Sequence, residues 1–222
     1  MSAVPKIERP KQVSELVLER LREDIVKGTF ALGEKISETQ LAITYGVTKA
    51  PVRAAYQRLL AEGLIEVRPQ TGTYVFKPTI EHLRALCELR IALELEAVRL
   101  SLSRNATGFR QVVDRICDDM EAAVRENRQN DYQQLDTALH LSFFDLAQSP
   151  LLRETYEFRV SSAFAALRYR FAAVQSHAEA SMGDHREICS LVAQGDLDAL
   201  RSCLRTHIDN TNAYYERLLA DE

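Results

Sequence analysis

The sequence lacks any stretch that is apolar for long enough to cross a membrane as a helix, which excludes an integral membrane protein. Its first residues, MSAVPKIERPKQ, lack the hydrophobic core of a signal peptide. We therefore expect a cytoplasmic protein that has no membrane partner.

Cysteine pairs with the spacing of a zinc ribbon or a redox motif are also missing. The four cysteines are far apart and lie within helical patterns, at positions 87, 117, 189 and 203. Buried, reduced thiols are the expected state of such residues in a cytoplasmic protein. Zinc ligation by these thiols is the less favoured alternative.

Charge is unevenly divided between the two ends of the chain. Residues 1–77 contain 12 Lys and Arg against 9 Asp and Glu, whereas residues 78–222 contain 16 against 23. A basic N-terminal part and an acidic remainder predict a nucleic-acid-binding end and a different partner for the other end. The positive excess is small, so tight DNA binding is expected to need two copies of the chain.

The basic part contains the signals of two short helices joined by a turn. Ser37 with Gln40 fits a capping box at the start of the first helix, and Gly46 ends that helix. Thr48 can cap the second helix, whose Pro51 falls within the first turn, where a missing N–H is tolerated. This order of signals predicts a helix-turn-helix.

The second of these helices is the candidate recognition helix. Lys49, Arg53 and Gln57 recur every four residues and so share one outward face. A basic N-terminal half suits insertion into the major groove of DNA. The inward face is predicted to consist of Val52, Ala55, Leu59 and Leu60.

A β-hairpin is predicted directly after this helix. Residues 64–68 alternate apolar and polar side chains, residues 69–72 supply a Pro- and Gly-containing turn, and residues 73–76 return as a second strand. The hairpin is the expected wing of a winged helix, with its tip against the adjacent minor groove. The alternative is a small hydrophobic packing unit with a solvated, charged face.

The run GVTKAPVRAAYQRLLAEGLIEVRPQTGTYV resembles the winged helix of GntR-type bacterial transcription regulators, which usually begins GVSRTPVREAL. The chain departs from the family's pattern at Thr39, Lys49, Ala54 and Leu32–Gly33, where a basic residue, Arg, Glu and Pro-Gly are usual. Lys49 keeps the positive charge but lacks the fork with which arginine contacts guanine. The pattern and the resemblance together imply DNA contacts by Thr39, Thr48, Lys49, Ala50, Arg53, Gln57, Gln70, Thr71 and Gly72.

The remaining residues predict an all-helical domain. Lys77, Pro78 and Thr79 interrupt the strand pattern, and nearly unbroken helical periodicity follows. Helices are predicted at 80–104, 108–128, 131–147, 150–173, 178–194 and 196–219. Short connections favour an antiparallel bundle of six or seven helices. The predicted fold is thus mainly α, with a winged helix-turn-helix domain at 1–77 and a helical bundle at 78–222.

Four residues of the predicted bundle can converge on a cation. Asp136 and His140 lie four residues apart, on one face of a helix. His185 precedes Gly195 by ten residues and His207 follows it by twelve, so an antiparallel hairpin there places both histidines at nearly the same height. Three imidazoles and one carboxylate suit Zn²⁺ and also Ni²⁺, Mn²⁺ or Fe²⁺. The alternative is that each histidine is an ordinary packed or solvated residue.

This half of the chain resembles the all-helical effector domain, called FCD, of the FadR subfamily of GntR regulators. Many members carry Asp-x-x-x-His on one helix and a single histidine on each of the last two helices, and Asp136, His140, His185 and His207 match that pattern. The resemblance therefore implies a metal site, with zinc as the first expectation. His82 and His177 do not match the pattern, and we expect them at the surface.

Arg90 is the candidate effector-binding residue. It matches an arginine often found near the pocket of such domains, where its guanidinium can hold one end of a small carboxylate. Four protein ligands leave a six-coordinate ion two open positions for the other end. Equally, Arg90 can be an exposed partner of Glu94, four residues further on. Arg168 and Arg170 are further candidates.

The features together predict a ligand-responsive transcription regulator, acting as a repressor, that binds a pseudo-palindromic operator as a homodimer. The alternatives are an architectural DNA-binding dimer without an effector and a metal-dependent hydrolase. The hydrolase is disfavoured because the sequence shows neither an HExxH motif with its general base nor a recognisable Ser/His/Asp or Cys/His catalytic arrangement. The chain is therefore not expected to be an enzyme.

Overall fold

The structure, a computed structural model, describes the backbone of residues 11–171 and 175–220, and the side chains of these residues except 175–180. It divides into two compact units. The first comprises Met1–Ile25 with Thr29–Phe76, and the second comprises Val26–Gly28 with Lys77–Glu222. The predicted fold class is confirmed, because a winged helix-turn-helix with a small sheet is followed by an all-helical part.

The N-terminal elements form a helix-turn-helix with a three-stranded antiparallel sheet. In chain order they are α1 (Val13–Val26), β1 (Lys35–Ile36), α2 (Glu38–Thr44), α3 (Lys49–Glu62), β2 (Ile65–Arg68) and β3 (Gly72–Val75). The strand order is β1-β3-β2, and the wing pairs Val67 with Thr73 and Arg68 with Gly72. Strand β1 was not predicted, because two residues are too few to show an alternating pattern.

The turn between α2 and α3 follows the predicted signals, with two corrections. Thr48 is the N-cap residue of α3, but its side chain makes no capping hydrogen bond. Ser37 is the N-cap of α2 and its hydroxyl accepts a hydrogen bond from the Gln40 amide at 3.5 Å. On α3 the prediction that Leu60 faces inward is wrong, since its side chain is 40% exposed. Tyr56 is buried instead, because positions 52, 55, 56 and 59 share one stripe of the helix.

Polar contacts connect the three helices of this unit. Arg22 of α1 donates two hydrogen bonds to Glu62 of α3, from Nε at 2.9 Å and from Nη2 at 2.6 Å. The Tyr45 hydroxyl at the end of α2 donates to Asp24 Oδ2 of α1 at 2.7 Å. The paired fork of an arginine and a carboxylate fixes direction as well as distance, so the contact between Arg22 and Glu62 helps to orient α3 against α1.

We expect Gly63→Ala to lower the free energy of unfolding by about 1–2 kcal/mol, because the residue that ends α3 has a left-handed φ of 78°. A Cβ at Gly63 would meet no atom within 4 Å, so the loss reports backbone strain alone. Urea denaturation followed by circular dichroism measures it. Gly183→Ala is the matched control, since this exposed helical glycine also has open space around it and should become slightly more stable. Equal effects at both positions would contradict the prediction.

The second unit is helical throughout its described part. Its elements are α4 (Ile80–Arg125), α5 (Gln129–Asp145), α6 (Pro150–Tyr156), a π-helical turn (Glu157–Ser161), α7 (Ser162–Phe171), α8 (Gln175–Gln194) and α9 (Leu197–Ala220). The predicted end of a helix at residue 173 lies outside the described residues. His177, which the predicted helix at 178–194 left just outside, belongs to α8, and its side chain lies outside the described set.

Helix α4 is bent at the position where two separate helices were predicted. Asn105 has φ −154° and ψ 62°, which are not helical values. Its side-chain Oδ1 accepts a hydrogen bond from the Gly108 amide at 3.0 Å, as an N-cap does at the start of a new helix. The predicted break at residues 105–108 is therefore a kink within one continuous element. Among the described residues, no helix has the combination of length and apolar character that spanning a membrane requires.

Candidate metal centre and DNA-binding face

Three buried histidines from three helices converge inside the second unit. His140 lies on α5, His185 on α8 and His207 on α9, and one possible ligand atom from each lies within 4.8 Å of the others. The ring centroids of His185 and His207 are 4.7 Å apart, so the turn at Gly195 brings these two side chains to the same level. The His140 ring stacks on that of His207 at 5.4 Å.

Each histidine ring is held by an oxygen atom that contacts its Nδ1. For His140 this oxygen belongs to Glu94 at 2.9 Å, for His185 to the Tyr132 hydroxyl at 3.2 Å, and for His207 to Asp184 at 3.2 Å. Outer partners of this kind orient the imidazoles of protein metal sites and turn Nε2 toward the ion. At His140 this nitrogen accepts a hydrogen bond from Arg90 in the structure, at 2.8 Å. Among these partners, Asp184 could have been found from the sequence because it lies directly before His185. No sequence pattern indicated Tyr132 as a partner of a histidine.

Asp136 lies beside two of these histidines. Its Oδ2 is 3.6 Å from His185 Nε2 and its Oδ1 is 3.9 Å from His140 Nε2. Burial opposes ionisation of this carboxyl group, but the Arg168 guanidinium, 2.9 Å from Oδ1, holds its pKa below the usual range. Asp136 is therefore an anion within a buried cluster.

His140 and His185 are neutral in this environment. Burial lowers the pKa of His140 to about 4, although the charge of Glu94 opposes this shift. Burial also lowers the pKa of His185 well below its ordinary value, and Asp136 offsets this only in part. A neutral imidazole with a free nitrogen is the form that binds a metal ion.

The cluster contains buried polar atoms that fit a cation. Asp136 Oδ1 is buried and paired with Arg168, and beside it His185 Nε2 is buried and makes no hydrogen bond within the part of the chain that the structure describes. Such atoms are rare in folded proteins unless water or an ion satisfies them. Two further imidazoles lie within reach of the same point. The donors of His140, His185, His207 and Asp136 match the preferences of zinc and related divalent ions.

Arg90 lies inside the cluster. Its Nε donates to Glu94 Oε1 at 2.7 Å and its Nη2 donates to His140 Nε2 at 2.8 Å. The Tyr156 hydroxyl donates to the same Glu94 oxygen at 2.8 Å. The interpretation of Arg90 as an exposed partner of Glu94 is correct in the pairing and wrong in the exposure, since only 1% of the Arg90 side chain is exposed. A buried ion pair joined to a cluster histidine can form part of the site.

The two further arginines that were candidates for binding the effector, Arg168 and Arg170, differ in burial. Arg168 is buried, and besides Asp136 it contacts Thr137, whose hydroxyl accepts from Nη2 at 2.9 Å. Arg170 is only half-buried. Arg168 follows the π-helical turn at 157–161, and such turns often occur at functional sites because they shift the side chains that follow them.

The side chains predicted to contact DNA lie on the surface of the first unit. Thr39, Thr48, Lys49, Ala50, Arg53, Gln57, Gln70 and Thr71 are exposed, and Gly72 is half-buried. Gln70 has a left-handed φ of 62° at the tip of the wing. Arg53 contacts Glu38 at 3.0 Å, a partner that the sequence pattern did not indicate.

A winged helix-turn-helix with a basic exposed face, joined to a helical domain with a buried polar cluster, defines a DNA-binding transcription regulator. The FCD domain matches residues 85–210, and the gntR family of bacterial regulatory proteins matches residues 13–75. The chain belongs to the GntR family and carries an FCD domain.

Two proteins that are similar to this chain in sequence are named as regulators. The chain is 26% identical over 208 residues to the HTH-type transcriptional repressor RspR of Escherichia coli K12, covering 94% of this chain and 91% of that protein. It is 24% identical to the Uxu operon regulator of Haemophilus influenzae, covering 86% and 77%.

Solved structures share the fold. E. coli McbR/YncC has a TM-score of 0.77 at 18% identity and covers 94% of this chain and 100% of its own. A GntR family member from Pseudomonas syringae pv. tomato DC3000 has a TM-score of 0.53 at 22% identity, with 94% and 86% covered. At such identities the likeness concerns the fold and not the ligand.

Proposed function

We propose that this regulator binds one divalent cation at His140, His185, His207 and Asp136 and responds there to a small carboxylate effector. The observation that carries the proposal is the buried Nε2 of His185, which makes no hydrogen bond and lies 3.6 Å from an anionic carboxylate and beside two further buried imidazoles. Zinc is the first candidate ion, because three nitrogens and one oxygen suit it, and nickel, manganese and iron follow.

The bound ion would supply Lewis acidity and open positions for an oxygen ligand. The chain supplies the charged donors around those positions. Arg90 and Arg168 are both buried, and each already contacts a proposed ligand residue, His140 and Asp136 respectively. Guanidinium groups pair strongly with carboxylates because two parallel hydrogen bonds form. We therefore assign the second contact of the effector to Arg90, with Arg168 as an additional candidate.

On the DNA side, we propose that the chain acts as a homodimer on a pseudo-palindromic operator. Residues 78–222 form the effector-binding and dimerisation domain, and residues 1–77 bind DNA. Lys49, Arg53 and Gln57 of α3 are proposed to enter the major groove, because they are exposed on one face of the helix. The small excess of positive charge favours two recognition helices acting together. RspR is a repressor, and we propose repression for this chain, in the cytoplasm.

A screen of small organic acids against zinc-loaded protein should find a compound that raises the melting temperature by about 5 °C at a concentration about a hundredfold above its Kd. The same compound should have little effect after treatment with a chelator, because the proposed site then lacks its cation. Differential scanning fluorimetry measures both conditions.

The amide of each active acid is the matched control, since it has the same shape without the negative charge. Stabilisation that is equal with and without chelator would contradict the role of the ion. Stabilisation that is equal for acid and amide would contradict a carboxylate effector. A protein whose DNA binding ignores every acid would instead be an architectural dimer.

A further inference from the structure

The recognition helix carries an arginine that a carboxylate of the preceding helix already holds. Arg53 Nη2 lies 3.0 Å from Glu38 Oε2, and Arg53 Nε lies 3.3 and 3.4 Å from the two carboxylate oxygens. Glu38 is the first residue of α2 and Arg53 lies in the second turn of α3. The ion pair therefore spans the turn of the helix-turn-helix motif.

Glu38 is the more buried partner of this pair. It follows the N-cap Ser37, and a carboxylate in the first turn of a helix is favoured by the partial positive charge of the helix start. Its side chain is 30% exposed, whereas that of Arg53 is 65% exposed. An anchored acid that holds an exposed base reduces the conformational freedom of Arg53 before DNA arrives.

The direction of the contact leaves one side of the guanidinium for DNA. Glu38 contacts the edge formed by Nε and Nη2. A guanidinium is planar and rigid, so its other edge, formed by Nη1 and Nη2, faces away from Glu38. That edge has the spacing that matches O6 and N7 of guanine in the major groove.

We propose that Glu38 is a positioning residue for DNA recognition, which directs Arg53 toward a base edge and keeps it from binding phosphates indiscriminately. The proposal rests on the role of Arg53 proposed above. A negative charge beside the DNA face repels phosphates, so Glu38 lowers affinity for arbitrary sequence while it favours the correct base. An exposed ion pair contributes little to folding stability. The effect of Glu38 should therefore concern selectivity rather than stability.

The test is Glu38→Gln, which keeps the size of the side chain and removes its charge. The probe is a duplex that the wild-type protein selects from a pool with a randomised centre, compared with a scrambled duplex of equal length. The ratio of the two affinities should fall about tenfold. Affinity for the scrambled duplex should rise, and the slope of log K against log salt should steepen by about 0.9 for each bound chain, because Arg53 becomes free to contact a phosphate.

Glu19→Gln is the matched control, since it makes the same charge change on α1 and removes an exposed contact with Lys11. It should leave the affinity ratio unchanged, and Glu38→Asp should restore part of the ratio. An unchanged ratio in Glu38→Gln would overturn the positioning role, as would an equal loss on both duplexes. If Arg53→Ala keeps specific binding, the recognition proposal itself fails. If Arg53→Ala loses specific binding while Glu38→Gln keeps full selectivity, only the role of Glu38 fails.

Discussion

Replacing both His185 and His207 by alanine is expected to reduce the metal content from about one ion per chain to nearly none. Each of these side chains would supply a ligand from a different helix, and the remaining Asp136 and His140 lie one turn apart on α5. Two ligands from one helix are fewer than the three or four protein ligands that zinc sites use. Elemental analysis of protein loaded with zinc and then passed through a desalting column measures the change.

The same pair of substitutions should remove the stabilisation that the ion provides. An ion that binds only the folded chain stabilises it by about 4 kcal/mol when its free concentration is about a thousandfold above Kd. Wild-type protein should therefore melt at a lower temperature in the presence of a chelator, and the double variant should melt at one temperature in both conditions. Because each protein is compared with itself, packing defects caused by the lost rings cancel.

His82→Ala is the matched control for the metal centre. This histidine is exposed near the start of α4 and lies outside the cluster, so its removal should leave the metal content unchanged. Retention of a full complement of metal by the His185 and His207 double variant would refute the site. In that case the three histidines would be packed side chains that fill the core of the helical unit.

The juxtaposition of the histidines could be predicted because helices are regular. Counting residues from Gly195 gives the heights of His185 and His207 on two antiparallel helices, and their rings are 4.7 Å apart in the structure. The four-residue spacing of Asp136 and His140 similarly fixes one face of α5. Counting residues along two antiparallel helices therefore predicts which side chains lie at the same height.

The partners that hold the histidines could not be predicted in the same way. Glu94 reaches His140 across 46 residues of sequence, and the orientation of both side chains depends on how α4 packs against α5. The spacing of Arg90 and Glu94 predicted their pairing, but not that both are buried. Burial depends on the neighbouring helices, and a sequence pattern within one helix does not contain that information.

In the fold, too, features that depend on neighbouring residues could be predicted, whereas features that depend on residues far away in the sequence could not. The kink at Asn105 follows from a local signal, because an Asn-Ala-Thr-Gly run favours an N-cap over a continuous helix. Strand β1 depends on a distant partner, since Lys35 and Ile36 become a strand only by pairing with β3. The contact between Glu38 and Arg53 also depends on the packing of α2 against α3, which is why the sequence indicated the arginine but not the acid that holds it.

Arg53→Ala is expected to lower affinity for the selected duplex by about 30-fold or more while leaving the protein folded. One bidentate contact with a base accounts for roughly a fivefold to hundredfold preference, and the proposed dimer would make it twice. The side chain is 65% exposed, so its removal leaves no cavity in the core. Gel retardation with the selected and scrambled duplexes measures specific binding, and circular dichroism checks the fold.

Arg58→Ala separates the loss of a specific contact from the loss of a charge. Arg58 is exposed on the same helix, but five residues from Arg53 place it about 140° further around the axis, away from the proposed DNA face. Its removal should weaken binding to both duplexes slightly and equally, because only long-range attraction to phosphates changes. If both arginine variants lose the same small amount of affinity on every duplex, α3 attracts DNA through its charge but makes no sequence-specific contact. If Arg53→Ala alone loses the selected sequence, the exposed face of α3 is the surface that reads the operator.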